Sequence, residues 1–350
     1  MENVIIIGAG LSGLTTAYNL KKKNVSFKIL EAQNRLGGRI ETIQGVIDTP
    51  MDLGATWFND NHVSLMTLID ELEIEIFYQH SEGKTIFQTK SFEPPQIFYV
   101  PGSEQSSYRI KGGTSAIIKK FQNIIGDKNI LLNTLITNII DNGDFITIVD
   151  NAGRQYEAKC VISTIPAQIL VDKIQFIPGL PIQVSELMQN VQTWMSGTIK
   201  FTIEYNEPFW LQNEFSGTVF SQSGIAVEIY DHSNFEQSKF SLMGFLNGSA
   251  INYDKIQREE FVISQIENLF GSIVIKHISY NDKIWDNEFI STSNPKILHA
   301  HQNNGHPLLQ QPLLGGKLFL AGTETSKTSS GYLDGAVVSA NRASKQFLEK

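Results

Sequence analysis

The sequence predicts an α/β fold in which a Rossmann-like domain, discontinuous along the chain, is interrupted by a mixed-sheet second domain. Three observations carry the prediction. The β-branched run Val4-Ile5-Ile6-Ile7 stops at a glycine-rich turn and passes into a helix-forming stretch, and a run apolar throughout suits a parallel strand covered on both faces. Near the other end, Lys317-Leu318-Phe319-Leu320-Ala321 is a second buried strand running into Gly322. The chain has 350 residues, more than the roughly 100–200 of one domain. With 41% hydrophobic and 18% charged residues, it can bury a sizeable core and is not disordered.

The elements follow in order. Leu14 to Lys23 reads as a helix with Leu14, Ala17, Tyr18 and Leu20 on one stripe, and Ser26 to Glu31 as a second strand ending in an acid. His62 to Tyr78 begins as an amphipathic helix, with apolar residues at Val63, Met66, Ile69, Leu72 and Ile76. Glu82 to Ser107 holds Pro94, Pro95 and Pro101 without a clear period, so it reads as loops and short strands. Gly112-Gly113-Thr114 opens a helix through Phe121. Turn signals at Asp141-Asn142-Gly143 and Asn151-Ala152-Gly153 divide Ile136 to Thr164 into a β-meander. Thr198 to Tyr205 and Phe240 to Leu246 are strands of a second sheet, Glu259 to Phe270 is a helix, and Gly331 to Leu348 is the final helix. The expected partition is 1–77, 111–190 and 288–350 for the first domain, and 78–110 and 191–287 for the second.

Charge and composition exclude several classes. Thirty-six acidic against 28 basic residues give a net charge of −8, which argues against a nucleic-acid partner. The single cysteine, Cys160, excludes an internal disulfide framework and fits a reducing compartment. The longest uncharged stretch, Val4 to Leu20, is too polar to span a bilayer, and Met1-Glu2-Asn3 lacks the basic start of a signal peptide. The expectation is a soluble cytoplasmic protein with no membrane contact. His299, His301 and His306 cluster without a neighbouring acid or thiol, so they read as cavity or loop histidines and no metal is expected. The acidic helix face of Asp70, Glu71, Glu73 and Glu75 reads as solvated.

Gly8-x-Gly10-x-x-Gly13 lies between strand and helix, and Glu31 ends the next strand eighteen residues beyond Gly13. The glycines allow a tight turn, approach of backbone to a diphosphate, and close helix–strand packing. The helix N-terminus offers unpaired N–H groups to phosphate oxygens. An acid at position 31 can accept both hydroxyls of an adenosine ribose, which disfavours NADP. Arg35, Gly37, Gly38 and Arg39 then supply a second glycine turn and guanidinium groups able to neutralise a diphosphate.

Taken together, GAGLSG, LEAQNRLGGR, MDLGATWF, GGTSAIIKKF, CVISTIP, GTIKFTIEYNEPFW and AGTETSKTSSGYLDGAV occur in an order that resembles the flavin-dependent amine oxidases, across most of the chain. That resemblance implies a Rossmann-like FAD-binding domain. Gly8, Gly10, Ser12, Gly13, Arg35, Gly38 and Arg39 would lie at the diphosphate, Glu31 at the ribose, and Ile136 at adenine. Gly54, Ala55 and Thr56 would pass the isoalloxazine ring, and Gly322, Thr323 and Glu324 would meet the ribityl chain and the diphosphate. Gly331 and Ala336 would stand at the head of a helix aimed at the flavin pyrimidine.

Lys200 reads from its pattern alone as an edge lysine facing water. The resemblance instead implies a buried lysine that holds a water at flavin N5 and assists reaction with O2. Tyr332 is implied to form one wall of an aromatic cage before the flavin. The second wall should fall near Asn294 and Pro295, where no aromatic stands; Trp57 or Trp194 are the substitutes at hand. Thr292 to Pro295 lacks a tethering cysteine, so non-covalent FAD is expected. Only Ile76 to Ile110 fills the place of the family's helical insert, leaving a cavity that is more open or closed by a partner subunit, as in a homodimer. The implied reaction converts a small-molecule amine to an imine and then an aldehyde, with O2 reduced to H2O2. The alternatives are a flavin desaturase or isomerase acting on C–C bonds, and a non-catalytic FAD scaffold.

Overall fold

A computed structural model describes residues 1–102, 107–285 and 298–350. Among these, an eight-stranded sheet takes Glu2–Ile7 as a central strand. Phe27–Leu30 and Gln155–Ser163 flank it in parallel, Ile130–Leu131 extends one side, and Leu318–Leu320 joins Gln155–Ser163 in parallel. The meander hairpins Ile136–Asp141, Ile146–Asp150 and Gln155–Ser163 are antiparallel, as their turn residues predict. Val4, Ile5 and Ile6 are all buried, because Leu14, Phe121 and Val337 of flanking helices cover one face and Leu170, Val184, Met188 and Leu309 cover the other. Cys160 is buried in this sheet.

The second sheet, seven strands among the described residues, runs in spatial order Ser279–Ile284, Ile199–Tyr205, Phe240–Leu246, Ala226–Asp231, Phe215–Ser221, Gly83–Gln88 and Gln96–Val100. One face carries Ile199, Phe201, Ile203, Leu242, Ile229, Val219 and Ile86 into a core with Val262 and Ile266 of the helix Lys255–Phe270. The other face turns toward the first domain. Glu204 fastens it there, accepting the amides of Val46 and Ile47 at 2.7 and 3.2 Å, and Trp285 donates Nε1–H to the Leu53 carbonyl at 2.7 Å.

Two elements depart from the sequence pattern. Apolar spacing runs on to Ile76, yet the helix is Val63–Glu71, because Glu73 turns left-handed at φ 53° and Ile76–Tyr78 becomes a strand paired with Ser107–Ile110. The helix expected from Glu259 starts at Lys255, where Asp254 and Gln257 form a reciprocal capping box.

Candidate active site

The parallel strands point their C-terminal ends at one cleft, the position where open α/β sheets bind ligands. Ile7 leads into Gly8, Leu30 into Glu31, and Leu320 into Ala321 and Gly322. The helix Leu11–Lys22 begins at Gly10 with no side-chain cap and no acid in its first turn, so its N–H groups are left to an anion. A Cβ on Gly13 would lie 2.0 Å from the Gly8 carbonyl oxygen, so only glycine lets this helix sit on the turn. The second glycine turn touches the first: Gly37 donates to the Ala9 carbonyl at 2.9 Å, and a Cβ on Gly38 would stand 3.1 Å from Gly10 Cα.

Glu31 is buried and its carboxylate accepts the amides of Ala9 (2.6 Å) and Gln33 (2.8 Å). Burial nevertheless raises its pKa above the ordinary value. Thr134 donates its amide to the Glu31 carbonyl at 2.8 Å, which brings the start of the Ile136–Asp141 strand beside it. Ile136 is itself buried. Ser12, in the first turn of the helix, donates its hydroxyl to the Ala321 carbonyl. Arg35 donates to the carbonyls of Leu36, Gly38 and Ile40 at 3.3, 2.8 and 3.2 Å and pairs with Glu41, which makes it a staple of the glycine turn.

Arg39 approaches Glu324 at 2.8 Å. That contact joins Arg39 Nη1 to Glu324 Oε1 as an ion pair, and leaves Glu324 Oε2 buried without a hydrogen bond among the described residues. An unmatched buried acceptor is costly, and Glu324 Oε2 stands 3.5 Å from where a Cβ on Gly322 would lie. A cofactor hydroxyl could donate to that oxygen, and the Arg39 guanidinium, paired through one nitrogen, lies beside it as a charge for a diphosphate. The helix Leu333–Leu348 presents a second uncapped N-terminus; Gly331 donates to Thr323 Oγ1 at 3.0 Å and Ala336 closes the first turn on the Tyr332 carbonyl at 3.3 Å.

Lys200 lies in the strand Ile199–Tyr205, whose seven residues are all buried between two neighbouring strands. The edge reading of its pattern is thereby overturned: the strand is interior. Lys200 Nζ donates to the Gly54 carbonyl (2.8 Å) and Thr56 Oγ1 (2.6 Å), so the Gly54-Ala55-Thr56 segment and the lysine meet. The rings of Trp57 and Phe245 lie 5.5 and 5.7 Å from Nζ, within cation–π range. Burial pulls the lysine pKa down to about 7, opposed by Asp52 and reinforced by Arg109.

Behind the lysine sits a buried polar cluster whose members are far apart in the sequence. His232 Nε2 accepts the Asp52 amide at 3.0 Å, and Arg109 donates to the carbonyls of Ser233 and His232 at 2.9 and 3.2 Å. Asp52 accepts the Thr114 amide at 2.9 Å. Burial, with Arg109 and Lys200 nearby, holds His232 well below the usual imidazole range, so it stays neutral. Asp52 lies in MDLGATWF, but His232, just past the strand Ala226–Asp231, and Arg109, in the strand Ser107–Ile110, are distant in sequence and carry no local signal.

Tyr332 is half-exposed at the head of the last helix, with Trp194 at 6.2 Å, His301 at 6.1 Å and His62 at 5.8 Å between ring centroids. Trp194 stacks on His301 at 4.3 Å. Trp57 instead packs edge-on against Tyr230 at 4.9 Å, on the Lys200 side. The expected second wall near Asn294 and Pro295, like the Thr292 to Pro295 stretch, falls outside the described residues. His306 accepts the Leu308 amide at 3.2 Å, capping a short turn. Among the described residues no group of three metal-ligating side chains forms, and no helix is long and apolar enough to cross a membrane.

Comparison with known proteins adds the chemistry. Residues 11–94 and 87–348 match the family described as flavin containing amine oxidoreductase. The chain is 25% identical over 458 aligned positions to the "Probable flavin-containing monoamine oxidase A" of Dictyostelium discoideum, covering 100% of this chain and 98% of that protein. It is 24% identical to the flavin-containing amine oxidase B of Rattus norvegicus, covering 99% and 86%. Both alignments are longer than the 350-residue chain. The fold is shared with a cyclohexylamine oxidase of Brevibacterium oxydans (TM-score 0.85, 19% identity, 99% of each chain). A putrescine oxidase shares it as well (TM-score 0.84, 18% identity, 100% and 99%). The match is to amine chemistry rather than to C–C desaturation.

Proposed function

Because the chain belongs to the flavin containing amine oxidoreductase family, we propose that it is an FAD-dependent amine oxidase that holds its cofactor without a covalent bond and uses dioxygen as electron acceptor. The domain partition given above is part of the same proposal. FAD, when bound, accepts the two electrons removed from the amine C–N unit; the chain's residues bind, orient and exclude water. The uncapped helix at Gly10, the glycine turns and Arg39 would hold the diphosphate, and Glu31 the ribose hydroxyls. Glu324 would accept ribityl hydroxyls, and the helix headed by Gly331 would set its positive end against the pyrimidine edge. The one cysteine, Cys160, is buried in the first sheet, which supports non-covalent binding.

The observation that carries the reading is Lys200: a buried ammonium, hydrogen-bonded to Gly54 and Thr56, beside the aromatic rings of Trp57 and Phe245. With a pKa near 7, its Nζ can hold or give up a proton at working pH. The surrounding rings desolvate an arriving amine and so favour the neutral form, whose lone pair is needed for oxidation. The substrate C–N bond becomes C=N, and water then releases the carbonyl product. The test is to purify the protein, record its visible spectrum, and add primary, secondary and polyamines without oxygen. Bleaching of bound flavin, with peroxide released on aeration, is expected. A flavin that no amine bleaches would overturn the reading.

A further inference from the structure

The sheet face that carries Lys200 also carries a carboxylate that the proposed mechanism does not use. Lys200 stands opposite Phe245 in the strand register, Phe245 opposite Glu228, Glu228 opposite Phe220, and Phe220 opposite Phe87. Residues paired across a ladder project from the same side, so these five side chains form one row across the sheet. The row lies opposite the Ile199, Phe201 and Ile203 core face. Two strand spacings separate the strand of Lys200 from that of Glu228, which is roughly 10 Å.

The surroundings of Glu228 are aromatic rather than basic. Tyr230 donates its hydroxyl to Glu228 Oε2 at 2.8 Å. The Tyr230 ring packs against Trp57 at 4.9 Å and Phe220 at 6.0 Å, and Phe245 lies 6.2 Å from Trp57. The ring system beside Lys200 is therefore continuous with the rings beside Glu228. Among the described residues no Lys, Arg or His forms an ion pair with Glu228. Lys283, which extends the row beyond Lys200, is paired with Glu41. Phe220 is 37% exposed, so the row opens to solvent at its Glu228 end. A half-buried, uncompensated carboxylate among aromatic faces is a receptor for a cation, through charge and through the ring quadrupoles.

We infer that Glu228 receives a second positive charge on the substrate, so that the preferred substrate class is a diamine or longer polyamine. One nitrogen arrives uncharged at the flavin side of Lys200 while the distal ammonium rests on Glu228 between the rings of Phe220, Tyr230 and Phe245. The inference rests on the amine-oxidase reading and adds its specificity. A monoamine of the same carbon length leaves Glu228 unpaired and gains only apolar contact.

The test compares 1,5-diaminopentane with pentylamine on the FAD-loaded enzyme, wild type and Glu228→Gln, with the flavin spectrum as the check on folding. Wild type is expected to favour the diamine in kcat/KM by about 20-fold or more, in line with a charge-assisted contact. Glu228→Gln collapses that ratio to about twofold or less, and Glu228→Asp restores part of it. Binding gives an independent readout: 1,4-diguanidinobutane should bind more tightly than butylguanidine in titration calorimetry, and Glu228→Gln should erase the difference. If wild type treats the two amines alike, or if Glu228→Gln keeps the diamine preference, Glu228 merely anchors Tyr230 and the inference is overturned while amine oxidation stands. If neither amine bleaches the flavin, the amine-oxidase reading fails and the inference falls with it.

Discussion

Lys200 has two acceptors, Gly54 O and Thr56 Oγ1, and among the described residues no carboxylate pairs with it. Its low pKa is the mark of a charge that burial resists. The folded pKa of about 7 lies below the unfolded value of roughly 10.4. Between these two pH values the unfolded chain binds more protons, so stability rises with pH there, and the full penalty is present below pH 7. Lys200→Met removes the penalty. The cofactor-free variant should therefore be more stable than wild type at pH 6, by at most about 5 kcal/mol, with the gap closing between pH 7 and 10; urea melts across that range measure it. The loaded variant should keep FAD and return electrons to dioxygen at least about tenfold more slowly in stopped flow. An equal rate would remove the lysine from that step. The letters around Lys200 do not reveal its burial: Thr-Ile-Lys-Phe fits an edge strand as well, and only long-range pairing on both sides makes it interior.

At the level of elements, the turn from Ile7 to Leu11 works because glycine at position 13 lets a helix lie on a carbonyl. Gly13→Ala would place a methyl 2.0 Å from Gly8 O. The expected result is a loss of about 2–3 kcal/mol together with FAD content, read from thermal melts and the 450 nm region of the spectrum; full occupancy at wild-type stability would refute the packing argument. The helix Lys255–Phe270 gives a contrasting case, being remote from the cleft. Asp254→Ala removes its capping box and should lower stability by about 1 kcal/mol without changing kcat. The cap at Asp254 and Gln257 is local, yet the sequence pattern predicts the helix only from Glu259, since Lys255 to Arg258 is polar but for Ile256; the glycine turn is visible as the local pattern GAGLSG, because turns depend on near neighbours. The strands that end at the cleft are legible for the same reason. The row joining Lys200 to Glu228 is not, since register between Ile199–Tyr205, Phe240–Leu246 and Ala226–Asp231 is set by packing of the opposite face on Val262 and Ile266. The left-handed Glu73 that ends a helix early is likewise silent in the apolar spacing.

On the scale of the whole molecule, the cleft depends on the second sheet staying docked on the 41–53 segment beside the first sheet. The docking contacts are polar: Glu204 on the 45–47 turn, Trp285 on Leu53, Lys283 on Glu41, and His232 on Asp52. Glu204 is the one whose ionisation matters most. Burial pushes its pKa up, but the Thr49 and Ser279 hydroxyls and the Ile47 and Val46 amides outweigh that and hold it below the ordinary carboxylate value. A depressed acid contributes stability that is present above its unfolded pKa and is lost as pH falls through its folded pKa. Acid should therefore loosen the seam. Glu204→Ala, which leaves the Val46 and Ile47 amides without an acceptor, is expected to cost about 2–3 kcal/mol at pH 7. The difference from wild type should shrink once the pH drops below about 4.5, where wild type loses the same charge. Since Lys200 sits in the same strand as Glu204, the variant should also release FAD more readily at neutral pH. Measuring unfolding and flavin release together at pH 7 and pH 4 separates a seam from a surface charge: a surface glutamate would change neither, and a gap that stayed constant with pH would show that the carboxylate's charge plays no part in docking.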